Sequence, residues 1–171
     1  MALPEGYSIR LFEAGDETAL SAITLDTIRR IGLRYYSHDQ VKVWAARHPS
    51  PSRFVDRAAS GAIIHVAVAD LSVPVAYTLL EVDEVGHGHL DMLYCDPQHT
   101  RKGLAEALLA KAEMVGREVG LPRLYTEASE LARPAFERAG YTALHRRDFE
   151  IEALDGASIA IHNYAMEKPL N

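Results

Sequence analysis

The segment that decides the fold reads Leu90-Asp91-Met92-Leu93-Tyr94-Cys95, then Asp96-Pro97-Gln98-His99-Thr100-Arg101-Lys102-Gly103, then Leu104-Ala105-Glu106-Ala107-Leu108-Leu109-Ala110-Lys111-Ala112. Its opening predicts a short apolar strand. Asp96-Pro97 ends that strand, because proline has no N–H to give to a sheet ladder. The middle is polar and basic and finishes on a glycine. From there Leu104, Leu108, Ala112 and Val115 recur with a helical period. A strand that runs through a basic loop into a helix N-terminus makes an anion site, since the first turn carries unpaired N–H groups and the positive end of the helix dipole. Gly103 lets a bulky phosphate come close to the backbone.

A second block follows at a fitting distance. Leu124-Tyr125-Thr126-Glu127-Ala128-Ser129 reads as a strand, and Glu130 to Ala139 as a helix stopped by Gly140 and followed by Tyr141. Together the two blocks resemble the acetyl-CoA-binding motif and the later Asn-x-x-Ala-x-x-x-Tyr-x-x-x-Gly-Phe block of the GNAT superfamily of N-acetyltransferases, small bacterial type. In the first block the match runs over Cys95-Asp96-Pro97 and Thr100-Arg101-Lys102-Gly103-Leu104-Ala105. Gly103 and Ala105 fit. Thr100 replaces the usual Gln or Arg, and Cys95 the usual Val. In the second block Ser129 stands at the Asn position and Phe136 at the Tyr position. The resemblance covers Ala62 to Tyr141 well, and the two ends in outline.

Composition sets the frame. A chain of 171 residues suits one domain over residues 1–171 with a sizeable core. The apolar share of 48% and charged share of 25% are those of a globular protein, and the net charge of −6 speaks against a nucleic-acid binder. A single cysteine, Cys95, excludes an internal disulfide framework and suits a reducing compartment. No apolar run approaches the ~20 residues that span a bilayer. Met1 to Tyr7 lacks the charged-then-apolar pattern of a signal peptide. The expectation is a cytoplasmic protein with no nucleic-acid or membrane partner, monomeric or homodimeric.

Outside the two blocks the chain predicts a strand over Tyr7–Phe12, a helix capped by Asp16 with Leu20, Ile23, Thr27 and Ile31 on one face, and a second helix opened by a Ser37-x-x-Gln40 capping box and running through Trp44. Ser50-Pro51 opens a third helix that Gly61 stops. Ala62–Ala69, Val75–Val82 and Gly86–Leu93 read as strands. Leu144–Ala153 and Ser158–Met166 flank Asp155-Gly156, a two-residue hairpin signal. The fold class is α/β. The resemblance implies the GNAT fold: a mixed, mostly antiparallel sheet flanked by helices and splayed at the acetyl-CoA site, where the strand before the loop parts from the strand at Leu124.

The resemblance also assigns roles. Backbone N–H groups of Arg101, Lys102, Gly103, Leu104 and Ala105 would hold the pyrophosphate, with Thr100 beside them. Backbone groups of Leu93 and Cys95, at a bulge, would polarise the acetyl carbonyl. Ser129 and Phe136 would line the pantetheine path. The Cys95 thiol itself reads better as a small packed hydrophobe than as a covalent nucleophile. His87, His89 and Asp91 alternate and so point to one face. His89 falls where some family members keep a catalytic glutamate, and an imidazole suits proton removal near neutrality. His89 or Asp91 is therefore the candidate general base. Nothing else has zinc-ligand spacing, so no metal is expected. Phe136 cannot donate the proton that the family's tyrosine gives the leaving thiolate. Tyr94, Tyr125, Tyr141 and Tyr164 are substitutes, with Tyr164 preferred. Tyr35, Tyr36 and Trp44 either cover the acceptor or pack a core or a dimer interface. The implied activity is transfer of acetyl from acetyl-CoA to the amine of a small or amino-acid-like molecule by direct attack. The alternatives are an acyl-CoA-sensing module without catalysis and a protein lysine or N-terminal acetyltransferase.

Overall fold

The alternating β-branched runs and the apolar-striped segments become seven strands and five helices in a computed structural model that describes residues 3–48 and 50–170. Met1 and Ala2, the start of the stretch read for a leader, lie outside the described residues. The strands are β1 (Ser8–Leu11), β2 (Ile63–Ala69), β3 (Val73–Val82), β4 (Gly88–Cys95), β5 (Arg123–Ala128), β6 (Thr142–Glu152) and β7 (Ser158–Pro169). The helices are α1 (Glu17–Arg30), α2 (His38–Ala46), α3 (Ser52–Ala59), α4 (Leu104–Glu118) and α5 (Arg133–Arg138). One mixed sheet runs β1-β2-β3-β4-β5-β7-β6, and every neighbouring pair is antiparallel except β4–β5.

Each face of the sheet carries its own core. Leu20 and Ile23 of α1 and Phe54 of α3 pack on Val66, Leu79 and Met92. On the other face Leu109 and Ala112 of α4 pack on Leu80, Leu90 and Leu124, and Phe136 and Tyr141 close that layer. α2 is fixed at its start by the predicted box: Gln40 N–H donates to Ser37 Oγ at 3.2 Å, and Ser37 N–H donates to Gln40 Oε1 at 2.9 Å. Among the described residues no helix is long and apolar enough to cross a membrane.

Four local expectations are corrected. Asp16 does not cap α1 with its side chain. Its carboxylate instead takes both Arg10 Nη atoms, at 2.7 and 2.9 Å, and a guanidinium fork is the stronger partner. β4 starts at Gly88 rather than Gly86, because Asp83 Oδ1 accepts the N–H groups of Val85 and His87 at 3.0 and 2.8 Å and folds 83–87 into a turn. His87 thus sits before the strand. The second block's helix is short, Arg133–Arg138, because Pro134 in its first turn has no N–H to continue a helix from Glu130. The hairpin at Asp155-Gly156 is not a two-residue turn. Ala153 N–H donates to Ala157 O at 2.8 Å and leaves three residues in the loop, with Gly156 at φ +83°.

β4 and β5 share only two register pairs, Gly88↔Leu124 and His89↔Tyr125. One step on, Thr126 Oγ1 donates to Leu90 O at 2.7 Å, a side-chain bond where a ladder would continue. Beyond it the strands part, as the resemblance implied. The closed end depends on Gly88, where an added Cβ would lie 2.3 Å from Leu124 Cδ2 and 2.9 Å from Leu121 Cδ1. Gly88→Ala is expected to cost about 1–3 kcal/mol by overpacking this hinge, read as a lower denaturation midpoint at unchanged slope. An unchanged midpoint would show that the two strands are not clamped there.

Candidate active site

The site is prepared by one extra residue in β4. β3 and β4 pair Leu79↔Met92 and then Leu80↔Leu90, so Asp91 is a bulge. Side chains two apart on a regular strand share a face, but a bulge reverses the phase. Leu90 accordingly packs towards α4 and Met92 towards α1. Past the bulge Leu93 and Cys95 pack towards α4, and Tyr94 towards α1. The bulge was expected at Leu93 and Cys95. It lies at Asp91, and its effect is to turn those two residues onto the α4 face.

On that face a cleft of about 530 Å³ opens between the end of β4 and the start of α5. Leu93, Cys95, Thr100, Arg101, Gly103, Leu104, Ala105 and Ser129 all line it. Arg101 at φ +61° and Gly103 at φ +75° curl the loop into the first turn of α4, whose N–H groups precede the first helical bond, Ala107 N–H to Gly103 O at 3.1 Å. Two left-handed residues ahead of a free helix end form the kind of N–H concavity that takes phosphate oxygens. Lys102 is absent from the lining. Its ammonium donates to Tyr7 Oη at 2.7 Å, and Tyr7 also bonds His99 Nδ1 at 2.9 Å, so this cation braces the loop from outside. Phe136 also fails to line the cleft. It is 2% exposed and packs edge-on against Tyr141, ring centres 5.0 Å apart, while Ala132, Pro134 and Ala135 present α5 to the cleft instead.

A second cleft of about 590 Å³ lies on the opposite side of β4, walled by α2, the α2–α3 connection, β5, β6 and β7. It shares Leu93, Tyr94 and Ser129 with the first. Asp91 lines it, ion-paired to Arg57 Nη1 at 2.8 Å and more loosely to Arg53 at 3.9 Å. His89 does not line it. Its Nε2 bonds Glu127 Oε2 at 2.6 Å, and Glu127 is the member of the pair that faces the cleft. Burial alone would lower the His89 pKa, but the bond to Glu127 and the charges of Glu127, Asp91 and Glu81 outweigh it and raise it above its ordinary value. The same bond, against burial, holds the Glu127 carboxyl below its usual range.

Tyr164, the preferred proton donor, lines neither cleft. Its hydroxyl donates to Glu130 Oε1 at 2.8 Å, and His162 Nε2 meets the same oxygen at 2.7 Å. His162 rather than Tyr164 reaches the cleft wall. Tyr36 and Trp44 both line the cleft, edge to face at 5.5 Å, and also pack in the core with Ile28, Val41 and Ile161, while Tyr35 lines the first cleft. His87 is turned towards Arg123 at 3.3 Å. Among the described residues no three His, Cys, Asp or Glu side chains gather as metal ligands would.

Sequence reasoning missed Glu127, His48, Arg47, Arg53, Arg147 and His162. Glu127 was findable: on β5 it shares a face with Tyr125 and Ser129, which puts it beside His89 once the strands pair. The others reach the cleft through the β6–β7 register and the packing of the α2–α3 connection, which no local motif encodes.

The chain is similar to known proteins. The model of the acetyltransferase (GNAT) family matches residues 25–141. A relative from Escherichia coli (strain K12), the uncharacterized N-acetyltransferase YafP, is 30% identical over 142 residues, 83% of this chain and 85% of that one. A GCN5-related N-acetyltransferase structure from Rhodopseudomonas palustris superposes with a TM-score of 0.81 at 26% identity, over 99% of this chain and 98% of the other. The paia N-acetyltransferase of Thermoplasma acidophilum, solved with coenzyme A, has a TM-score of 0.75 at 16% identity, over 95% and 98% of the two chains, and so shares the fold.

Cys95 lies in the first cleft, yet burial pushes its thiol up to about 12. A thiol near that value is ionised to only about 1 part in 10⁴ at pH 8, against roughly a quarter for a free cysteine. Iodoacetamide at pH 8 should therefore alkylate the chain's one cysteine at least ~100-fold more slowly than free cysteine. A rate equal to that of the free amino acid would contradict the buried, protonated thiol.

Proposed function

The chain belongs to the acetyltransferase (GNAT) family, and from that premise we propose that it moves an acetyl group from acetyl-CoA to a primary amine of a small molecule by direct attack within a ternary complex. One observation carries this reading: the phosphate-type cleft and the charged cleft lie on opposite sides of β4 and touch only at Leu93, Tyr94 and Ser129. A thioester at that junction would be reached by the cofactor's arm from one side and by an amine from the other. The two left-handed backbone residues and the α4 terminus fit the pyrophosphate, and the strand end at Leu93–Cys95, paired to β3 but not to β5, fits the acetyl carbonyl. An N–H fixed on the developing oxyanion is worth ~3 kcal/mol in comparable sites.

The buried Cys95 thiol argues against an acetyl-cysteine intermediate. Proton removal falls to the Glu127–His89 pair. An alkyl amine of pKa ~10.4 is uncharged about once in 2,500 molecules at pH 7, so a proton acceptor in the cleft matters. With His89 neutral and its hydrogen on Nδ1, the Glu127 carboxylate receives the proton from the amine, directly or through water, and passes it to His89 Nε2. Asp91, already shared between two arginines, serves as a fixed charge rather than the acceptor. Phe136 is buried and has no proton to give, but a thiol of pKa ~8.5 leaves readily as thiolate. A histidine-backed carboxylate that faces the cleft has no use in a passive acyl-CoA sensor.

Two experiments test this. Initial rates with acetyl-CoA and an amine both varied should give intersecting reciprocal plots, and Gly103→Glu should abolish the thermal stabilisation by acetyl-CoA, ~2.7 kcal/mol at 100 times Kd, by bulk and charge repulsion. Parallel plots would instead indicate an acetyl-enzyme, and failure of every amine to release CoA would favour the sensor. The second concerns pH. The active form has His89 deprotonated, so kcat/KM should rise with pH to a midpoint above the ordinary imidazole value of ~6.5. Glu127→Gln removes the group that raises the His89 pKa, so the limb should move to lower pH while the plateau falls 10²–10⁴-fold, about the worth of general-base help. His89→Ala and Glu127→Gln both retaining the wild-type profile would place proton removal elsewhere.

A further inference from the structure

The charged cleft is lined by three guanidinium groups, from Arg47, Arg53 and Arg147, and three carboxylates, from Asp91, Glu127 and Glu150. The two signs are not equally free. Each carboxylate is engaged within the protein: Asp91 by Arg57 at 2.8 Å, Glu127 by His89 at 2.6 Å, and Glu150 by the Ser158 hydroxyl at 2.7 Å. The cations are hardly used. Among the described residues the Arg47 side chain has no ion pair or hydrogen bond. The cleft carboxylates come no nearer Arg53 and Arg147 than 3.9 Å (Asp91) and 4.0 Å (Glu127). Arg53 otherwise donates to Arg47 O at 3.1 Å and meets His48 Nδ1 at 3.3 Å, and Arg147 donates to Asn163 Oδ1 at 3.3 Å. Each guanidinium has five N–H donors, so most of the cleft's donors await an acceptor. His48 adds no charge, because burial and the neighbouring Arg53 lower its pKa to about 4.

We infer that the acceptor is an amino carboxylate, whose carboxylate group is bound by Arg47 and Arg147 while its amine points to Glu127 and the junction of the clefts. The inference rests on reading this cleft as the acceptor site. A guanidinium fork matches a carboxylate in both geometry and charge. Guanidinium donors and carboxylates both line the cleft, so it offers a partner to each end of a zwitterion, where a simple ammonium ion would leave the free guanidinium donors unmet. Tyr36, Trp44, Tyr94 and Phe149 also line the cleft, and its volume suits a carbon skeleton larger than glycine's. An aromatic amino acid fits both features.

The test compares matched pairs of acceptors that differ only in the carboxylate: tyrosine with tyramine, phenylalanine with phenethylamine, and 4-aminobutyrate with propylamine, plus aminoethylphosphonate as the phosphonate arm. The wild type should acetylate at least one amino carboxylate with kcat/KM tenfold or more above its partner amine and above the phosphonate. Arg47→Gln and Arg147→Gln should each shrink that preference by raising KM for the amino carboxylate, with the thermal shift by acetyl-CoA intact as proof of folding. Both arginines are exposed, so neither substitution threatens the core. Equal or better use of every amine lacking a carboxylate, or a preference that survives both substitutions, would overturn the inference. Should no compound release CoA, the acetyltransferase reading itself fails. Calorimetry of N-acetyltyrosine against N-acetyltyramine on the CoA-loaded protein then decides separately, and equal binding or none overturns the inference.

Discussion

The constraint on which everything else depends is the brevity of the β4–β5 pairing. Two strands in the middle of a seven-stranded sheet share two register pairs and then separate. An interior strand end with open backbone groups costs free energy unless something pairs with them. Here that something is a side chain at first, Thr126 on Leu90 O, and beyond it the gap is left for a ligand. Gly88 holds the strands tight at one end, and the Asp91 bulge turns Leu93 and Cys95 towards α4 at the other. The slot, its floor and its two mouths follow from those three features.

The slot also separates two kinds of electrostatics. On the α4 side, attraction for an anion comes from the backbone, from left-handed residues and a helix terminus, with Lys102 held outside as a brace. On the α1–α3 side it comes from side chains. There the carboxylates are consumed internally and the guanidinium groups are left over, so a chain of net charge −6 presents surplus cationic donors in one cleft. The paired histidine and carboxylate are polarised in opposite directions at two places. Glu127 faces the cleft with His89 behind it, whereas His162 faces the cleft with Glu130 behind it. The first pair puts a carboxylate on the cleft wall, and the second an imidazole.

Much of this was legible from the chain, and the parts that were not share a cause. The loop and helix at Thr100–Ala105 were readable because strand, breaker, glycine and helix period are all local signals. So was the capping box of α2. His87, His89 and Asp91 were read as one alternating face, but His87 lies in the turn before β4, and nothing local reveals that Asp91 is the bulge, because a bulge is defined by the partner strand. Phe136 was assigned to the cofactor path from a motif position, and the six-residue α5 turns it into the core instead. Tyr164 was chosen for its strand, but its hydroxyl goes to Glu130. The charged cleft was the least legible region because its walls come from α2, α3, β5, β6 and β7, and only tertiary packing brings Arg47, Arg147 and His162 together.

On the proposed function, one slot between β4 and β5 carries the thioester from the phosphate-type cleft to the charged cleft. A crystal structure of the protein with acetyl-CoA tests it most directly. The account predicts the pyrophosphate on the N–H groups of Arg101 to Ala105, the pantetheine arm between the two strands, and the acetyl carbonyl at the backbone of Leu93–Cys95 with its methyl towards Glu127. A cofactor seated outside the slot, or an acetyl group remote from Leu93, Tyr94 and Ser129, would contradict it.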